Sequence, residues 1–368
     1  MKRIVLSGYY GFNNIGDEAV LIAIIQALKK EIPDVEIIVL SQDPPKTEKQ
    51  MNVQAVNRWC LPQIIGAIKE CDLLISGGGS LLQDVTGKKS ILYYLGIITI
   101  ARWWKKPAMI YAQGIGPVQS SWARKMVRNV LNKMDLITVR DEASGADLSS
   151  MGVTRPPMHV TVDPVMGMER PEEIQILDKF PYLNEEEGKL VGFSLRQWPG
   201  LALEELGALG DDLAERGFKV VFLPFHFPED ISVCRDVAKL MKQENHLIKD
   251  NLSPMEMMGV VGKMDLVIGM RLHALIMAGA QGIPFVAIEY DPKVGRYANL
   301  MGQETACSVE TMSCENLRNK VEQIMAEYSL IKEGLEQKAA SYRLEAQKSA
   351  QWAAEMLKDS NLKKGSKI

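Results

Sequence analysis

The chain has 368 residues, more than one hydrophobic core usually organises, so two domains of ordinary size are expected. Hydrophobic residues make up 46% and charged residues 24%, as in soluble globular proteins, and the net charge of −3 argues against a nucleic-acid binder. The 5 cysteines include no Cys-x-x-Cys pair, which argues against a disulfide framework or a zinc site and favours a reducing compartment.

The first half of the chain alternates predicted strands and helices, the pattern of a parallel sheet covered on both faces. Apolar runs predict strands at residues 3–7, 36–40, 73–76, 108–111, 136–139 and 159–162. Helical patterns cover residues 17–30 and 121–133. The first apolar run is too short for a signal peptide, so we expect a cytoplasmic protein that begins with a strand.

The longest apolar run, residues 91–101, is well short of the roughly 18 residues expected of a transmembrane helix. It is followed by a segment from Arg102 to Lys106 in which two tryptophans stand among basic residues. Trp and Lys together suit a membrane interface, which would place the protein peripherally at the inner face of the plasma membrane. The alternative is a buried helix with a solvated basic end.

Prolines and short polar stretches between residues 164 and 187 predict a linker, after which the same rhythm restarts. Strands are predicted at residues 190–194, 219–224, 246–248, 266–268 and 285–288, and helices at 203–216, 230–243, 255–261 and 271–281. A long helix is predicted from about residue 315 to 358, before a basic tail. We therefore predict an α/β protein of two doubly wound Rossmann-like domains facing a cleft, residues 1–170 and 171–340, with residues 341–368 as a C-terminal helix and basic tail.

The first glycine-rich segment, residues 8–18, follows the first predicted strand. Its three glycines allow the backbone to approach a ligand, and free amides at the helix start would face that ligand. The spacing matches neither a dinucleotide fingerprint nor a P-loop. Asn13 and Asn14 can bind hydroxyl groups, and Asp17 or Glu18 could accept a hydroxyl proton. The alternative for Asp17 is N-capping of the helix.

A second glycine-rich segment ends the third predicted strand. The segment consists of Gly77, Gly78, Gly79 and Ser80. Because a plain turn does not need three consecutive glycines, the segment predicts a loop that a substrate approaches closely. Arg140 ends another strand, which would bring it to the same edge of the sheet. There it would either contact an anion or form a surface pair with Asp141 or Glu142.

The second half places cationic side chains directly after its predicted strands. Arg196, Arg271 and Lys293 each follow a strand, and Arg296 lies one helical turn beyond Lys293. Ligands bind at the carboxyl ends of strands in open parallel sheets, so these cations would converge with Arg140 on an anion that carries several charges. His273, at the start of a predicted helix, adds a group that can change charge near neutral pH, unless Arg271 merely caps the helix and His273 packs inside.

Four of these motifs together resemble the polysaccharide pyruvyl transferase family. They are Gly-Tyr-Tyr-Gly-Phe-Asn-Asn-Ile-Gly-Asp-Glu at residues 8–18, Ser-Gly-Gly-Gly-Ser-Leu-Leu-Gln-Asp at 76–84, Gln-Gly-Ile-Gly-Pro at 113–117 and Met-Arg-Leu-His-Ala at 270–274. The resemblance extends over roughly residues 1–340. It is strongest to the branch that acts on a secondary cell-wall polysaccharide in Gram-positive bacteria with surface-layer proteins.

The resemblance implies a fold like that of the GT-B glycosyltransferases and phosphoenolpyruvate as the pyruvate donor. It implies N-acetylmannosamine of a lipid-linked precursor as the acceptor and a 4,6-linked pyruvate ketal, which surface-layer-homology domains bind, as the product. Neither a metal ion nor a cofactor is expected, because proton transfer and addition suffice and phosphoenolpyruvate is itself a substrate.

The candidate residues divide between donor and acceptor in this chemistry. Phosphoenolpyruvate carries close to three negative charges and so requires several cations; the expected donor-binding residues are Arg140, Arg196, Arg271, Lys293 and Arg296. His273 would donate a proton to C3 of the donor, with Asp17 and Arg271 also catalytic. The acceptor sugar would contact residues of the first domain, namely Tyr10, Asn13, Asn14, Glu18, Gly77, Gly78, Gly79 and Ser80.

Two other functions are compatible with such a scaffold, because fold does not decide function. A nucleotide-sugar-dependent glycosyltransferase or sugar-nucleotide epimerase would bind uridine diphosphate through the second domain. A glycan-binding scaffold protein would leave the Arg and His residues unexplained.

Overall fold

The computed structural model describes residues 1–84, 88–169, 174–184 and 188–365. The predicted boundary at 170–171, part of the predicted linker and the last three residues of the basic tail lie outside the described residues. Contacts divide the chain into two units. The first comprises Met1–Phe12, Asp17–Met168 and Leu344–Ile368, and the second comprises Asn13–Gly16 and Glu169–Arg343.

The first unit is built on a parallel sheet of seven strands in the order β3-β2-β1-β4-β5-β6-β7. The strands are β1 (Lys2–Ser7), β2 (Val35–Ser41), β3 (Gln54–Asn57), β4 (Leu73–Gly77), β5 (Ala108–Gln113), β6 (Leu136–Val139) and β7 (Met158–Val160). Every residue of β4, β5 and β6 is buried, because helices cover both faces of the sheet.

The helices of this part of the chain alternate with the strands: α1 (Ile15–Glu31), α2 (Pro44–Met51), α3 (Leu61–Glu70), α4 (Lys88–Trp103), α5 (Ser121–Leu131) and α6 (Glu142–Ser150). Side chains fix where several of them begin. Asp43 accepts a hydrogen bond from the N–H of Lys46 at the start of α2, and Asp141 accepts one from Ser144 at the start of α6.

The second unit repeats the architecture with a parallel sheet of six strands in the order β10-β9-β8-β11-β12-β13. The strands are β8 (Lys189–Ser194), β9 (Phe218–Phe222), β10 (Asn245–Leu247), β11 (Leu266–Gly269), β12 (Phe285–Glu289) and β13 (Thr305–Ser308). The helices that follow Met168 are α7 (Ile174–Lys179), α8 (Leu203–Glu215), α9 (Glu229–Leu240), α10 (Pro254–Val261), α11 (Leu272–Ala280), α12 (Pro292–Met301), α13 (Cys314–Ala326) and α14 (Tyr328–Gly365).

The predicted α/β class with two doubly wound sheets is confirmed, with strand ends shifted by one or two residues. The prediction of one helix from residue 315 to 358 was wrong, because α13 ends at Ala326 and α14 begins at Tyr328. Leu317, Val321 and Ile324 of α13 pack into the core of the second unit. Within the first unit, Ser349 of α14 shares a hydrogen bond of 2.9 Å with Thr138.

All strand pairs within each sheet are parallel, so the carboxyl ends of neighbouring strands lie along one edge of that sheet. Loops after β1, β4 and β6 share that edge in the first unit. Loops after β8, β9, β11 and β12 share it in the second. Among the described residues, no helix combines the length and the apolar content needed to cross a membrane.

Candidate active site

Two buried side chains hold the loop after β1 in place through hydrogen bonds. The hydroxyl of Tyr10 donates a hydrogen bond of 2.6 Å to the carbonyl of Gly77, and no surface of Tyr10 is exposed. Oε1 of Glu18 accepts hydrogen bonds from the N–H groups of Gly11, at 2.7 Å, and Phe12, at 3.3 Å. Burial raises the pKa of Glu18, against the opposite effect of those two donors. Tyr10 and Glu18, predicted to bind the acceptor, are thus placed where they position the loop backbone.

The loop after β4 lies directly against Asp17. Gly78 and Gly79 have φ of +93° and +56°, in the left-handed region that glycine adopts at low cost. A Cβ atom on Gly79 would lie 2.7 Å from Oδ1 of Asp17. The structure therefore brings together Asp17 and the consecutive glycines, which were predicted separately from two motifs.

Replacing Gly79 by alanine is expected to lower kcat/KM for the acceptor by about 10- to 100-fold, because the methyl group would displace Asp17. Gly200→Ala is the matched control: its φ of +81° carries comparable strain, but no heavy atom lies within 4 Å of the added Cβ. Steady-state kinetics and thermal unfolding of both variants measure the difference. Equal kinetic constants in the two variants would show that the approach of Gly79 to Asp17 has no role in turnover.

Arg140 is enclosed beneath the same loop, with 6% of its surface exposed. Nη1 donates a hydrogen bond of 3.0 Å to Oδ2 of Asp163, which is also buried, and Nη2 donates one of 3.1 Å to Oγ of Ser80. A buried cation requires such a partner, since an unpaired one carries a large desolvation cost. Through these contacts Arg140 positions Ser80, and the donor-binding role of Arg140 stays a prediction.

The second unit contains the short segment Asn13–Gly16. Asn14 forms an antiparallel bridge with His226, just beyond β9, and the flanking backbone hydrogen bonds measure 2.8 and 3.2 Å. Asn13 and Asn14 were expected to bind the sugar from the first domain. By their contacts they belong to the second unit.

His273 lies in the first turn of α11 and is partly buried. Gly16 packs against it so closely that a Cβ atom on Gly16 would lie 2.3 Å from Nδ1 of the imidazole. Only glycine leaves room for the ring at this distance. The segment that carries Asn13 and Asn14 therefore also sets the surroundings of His273.

Arg271, the residue before α11, is held by Asp230 from the first turn of α9. Nε of Arg271 donates a hydrogen bond of 2.8 Å to Oδ2 of Asp230, and Nη2 donates a second to Oδ1. Asp230, with 1% of its surface exposed, also accepts from the N–H groups of Phe225, at 3.1 Å, and His226, at 2.8 Å. This bidentate pair fixes the orientation of the guanidinium group, and Nη1 takes no part in the pair.

Arg196 and Lys293 meet at the ring of Tyr290. Nη1 of Arg196 donates a hydrogen bond of 3.0 Å to the hydroxyl of Tyr290, and its Cζ lies 4.7 Å from that ring. Nζ of Lys293 lies 5.6 Å from the same ring and 3.3 Å from Oδ2 of Asp291. Arg296 follows one turn later on α12. Among the described residues no carboxylate forms an ion pair with Arg196, so its charge is stabilised by aromatic rings.

Sequence reasoning missed the residues that support these groups. These residues are Asp163, Asp230 and Tyr290, none of which the sequence patterns single out. No local signal separates a buried carboxylate from an exposed one, because burial depends on what packs over it. Within the described ranges, no three His, Cys, Asp or Glu side chains are grouped as metal ligands.

Solved structures similar to the whole chain share its fold at low sequence identity. S. aureus MnaA, determined with UDP, gives a TM-score of 0.65 at 12% identity and covers 91% of each chain. Anabaena Alr3699/HepE in complex with UDP and glucose gives 0.64 at 15% identity, covering 98% of this chain and 100% of that one. These similarities show a GT-B-like fold of two Rossmann-like domains, as predicted.

The sequence comparisons are more specific about function. The amylovoran biosynthesis protein AmsJ of Erwinia amylovora is 22% identical, over 90% of this chain and 94% of that protein. The sequence profile of the polysaccharide pyruvyl transferase family matches residues 14–292, which is more than half of the chain. The chain therefore belongs to the polysaccharide pyruvyl transferase family, whose members transfer pyruvate to a polysaccharide.

Proposed function

We propose that the protein transfers pyruvate from phosphoenolpyruvate to N-acetylmannosamine of a lipid-linked secondary cell-wall polysaccharide precursor. The product is a 4,6-pyruvate ketal that anchors surface-layer proteins, and inorganic phosphate is released. One observation carries the donor assignment: Arg196, Arg271 and Lys293 follow three neighbouring strands, β8, β11 and β12, at one sheet edge. His273 lies on the helix that follows the middle strand of these three.

This arrangement suits a small anion with several charges. Arg271 is held rigid by Asp230, and Arg196 is held by Tyr290, so both guanidinium groups lose little freedom when an anion binds. Guanidinium groups bind carboxylate and phosphate oxygens in bidentate fashion. We assign Arg196, Arg271, Lys293 and Arg296 to the donor, and Arg140 to positioning Ser80.

In the proposed reaction, His273 gives a proton to C3 of phosphoenolpyruvate, and positive charge develops at C2. A sugar hydroxyl oxygen bonds to C2, and Asp17 accepts its proton. The bond between C2 and the phosphate oxygen breaks, and a second hydroxyl of the same sugar attacks C2 and closes the ketal. Of the two hydroxyl protons, one replaces the proton given by His273 and the other leaves with phosphate. No step needs a metal ion or a redox cofactor.

The acceptor assignment rests on the loops of the first unit and on Asn13 and Asn14. Backbone groups of Gly77, Gly78 and Gly79 can approach a sugar closely because no side chain intervenes. The hydroxyl of Ser80 is oriented by Arg140. Tyr10 and Glu18 support these loops from beneath.

The testing experiment measures phosphate release from phosphoenolpyruvate with and without a lipid-linked N-acetylmannosamine acceptor. Release that depends on the acceptor, together with the mass of a pyruvate ketal on the sugar, is expected. A thermal-shift comparison of phosphoenolpyruvate with UDP-sugars accompanies it, since a bound ligand raises the unfolding temperature. Stabilisation by a UDP-sugar without phosphate release would replace the proposal with a glycosyltransferase or epimerase activity.

We further propose a cytoplasmic protein in peripheral contact with the membrane through the segment from Arg102 to Lys106, where a lipid-linked acceptor would be reached. Trp103 is 76% exposed and Trp104 44% exposed, and both stand among basic residues. Exposed indoles beside cationic side chains favour an anionic lipid surface. Nζ of Lys69 lies 4.2 Å from the Trp104 ring, which adds a further basic residue.

The double variant Trp103→Ala/Trp104→Ala is expected to bind anionic vesicles several-fold more weakly with an unchanged unfolding temperature. Both indoles are exposed, so their loss removes apolar surface that would enter the lipid and leaves the core intact. Cosedimentation with vesicles measures the change. Leu344→Ala, at an exposed apolar position on α14, is the control. Equal sedimentation of the double variant and the parent protein would contradict the membrane contact.

A further inference from the structure

An aromatic cluster that the proposed mechanism does not use lies at the carboxyl edge of the first sheet. It is centred on Arg58, the residue after β3, which is buried. Aromatic rings lie 4.4–5.7 Å from Cζ of Arg58, and they belong to Phe12, Trp59, Tyr93 and Tyr94. Among the described residues, the polar partners of the guanidinium are the carbonyl of Gly8, at 2.9 Å, and the hydroxyl of Tyr94, at 3.4 Å.

Trp59 is the outward face of this cluster, with 63% of its surface exposed. Its indole is nevertheless fixed, because Nε1 donates a hydrogen bond of 2.6 Å to Oε1 of Gln42. The ring of Tyr93 supports it at 5.4 Å between centroids. Rigid exposed aromatic surface loses little conformational entropy on binding, which makes it an effective contact for a ligand.

The cluster is joined to the first glycine-rich loop by several contacts. Arg58 binds the Gly8 carbonyl, the N–H of Gln42 donates a hydrogen bond of 3.0 Å to the carbonyl of Tyr10, and the ring of Phe12 packs on Arg58. A glycan bound at the first glycine-rich loop, to which the acceptor has been assigned, could therefore continue onto Trp59.

Uncharged amide side chains lie close to Trp59. Its neighbours Asn57, Gln42 and Gln63 carry exposed amide side chains, which suit hydroxyl and acetamido groups. The only cation in the cluster, Arg58, is buried, whereas Lys105, which follows Trp104, is exposed. A lipid surface would favour exposed cations, whereas a sugar ring needs an aromatic face flanked by neutral hydrogen-bonding groups.

We propose that Trp59 is a carbohydrate-binding platform on which a pyranose ring of the acceptor glycan stacks, one residue beyond the sugar that receives pyruvate. Arg58 and Gln42 are positioning residues that hold the platform against the loop. This subsite rests on the proposed function, because it binds a second sugar of the same acceptor glycan. It makes the length of the acceptor glycan a determinant of its affinity for the protein.

Two soluble probes test the platform: the methyl glycoside of N-acetylmannosamine, and a disaccharide methyl glycoside that carries it as the non-reducing sugar. Saturation-transfer NMR and titration, both without phosphoenolpyruvate, measure binding to the parent protein and to Trp59→Ala. The parent is expected to bind the disaccharide about tenfold more tightly than the monosaccharide, and Trp59→Ala is expected to lose that difference. Trp59→Phe should retain part of it, and Trp122→Ala, at another exposed tryptophan, should retain all of it.

The outcomes separate the platform from the proposed reaction. Because binding is measured without the donor, absent phosphate release in the parent would refute the reaction and leave the platform supported if Trp59→Ala still weakens disaccharide binding. Equal disaccharide affinity in the parent and Trp59→Ala would overturn the platform, as would no disaccharide binding by the parent. Loss of vesicle binding by Trp59→Ala with sugar binding intact would assign Trp59 to lipid instead.

Discussion

His273→Ala is expected to lower kcat by about 10²- to 10⁴-fold, the usual contribution of a positioned general acid, while the dissociation constant of phosphoenolpyruvate stays within a few-fold. Protonation of C3 begins the proposed reaction, and the first turn of α11 presents the imidazole at the sheet edge where the cations lie. In the proposed site, donor affinity depends mainly on Arg196, Arg271 and Lys293, which the substitution leaves in place.

Steady-state phosphate release and calorimetric titration with phosphoenolpyruvate measure these two quantities separately. His246→Ala is the matched control, because that imidazole stacks on Tyr182, with centroids 4.3 Å apart, and has no proposed role in the reaction. A His273→Ala protein whose kcat remained within a few-fold of the parent value would exclude His273 as the proton donor.

Arg271→Ala is expected to raise KM for phosphoenolpyruvate and to lower kcat, with a combined loss in kcat/KM of about 10²-fold or more. The same substitution leaves Asp230 buried without its cationic partner. Removing one member of a buried ion pair costs about 3–5 kcal/mol, although the two N–H donors to Asp230 reduce that cost here. A lower unfolding temperature should therefore accompany the kinetic change.

Arg271→Lys distinguishes the two effects. Lysine retains a positive charge but cannot form the planar bidentate pair with Asp230, so we expect intermediate kinetics and partial stability. Steady-state kinetics with varied phosphoenolpyruvate and thermal unfolding give both readouts. An unchanged KM in Arg271→Ala, with stability reduced, would leave Arg271 as a structural partner of Asp230 alone.

The central strands could be predicted from the sequence because helices cover both faces of each sheet. β4 and β11 are buried along their whole length and therefore appear as continuous apolar runs. β3 and β13 were missed, and both lie at sheet edges where their residues are only partly buried or exposed. The other two edge strands, β7 and β10, are no more buried but were predicted, so an edge strand leaves an uneven trace in hydrophobic patterning.

The chemistry-bearing residues at the sheet edges were also predictable, because a parallel strand that ends in glycine, arginine or histidine places those residues at its carboxyl end. The roles of these residues were harder to predict. Arg140 and Arg196 both follow a predicted strand, yet Arg140 is paired with Asp163 in the interior and Arg196 contacts Tyr290. The aromatic cluster around Arg58 was not anticipated, since its four rings come from three separate places in the chain.

The sequence by itself determined the alternation of strands and helices, the sheet edges at which the candidate site residues lie and, through four motifs, the family. Those properties depend on local periodicity and on short segments whose residues are neighbours in the chain. The tertiary structure alone decided which cations are neutralised, which glycines leave room for a side chain, and that Asn13–Gly16 belongs to the second unit. Each of these depends on groups far apart in sequence, because burial and pairing are set by what packs against a residue rather than by its neighbours in the chain.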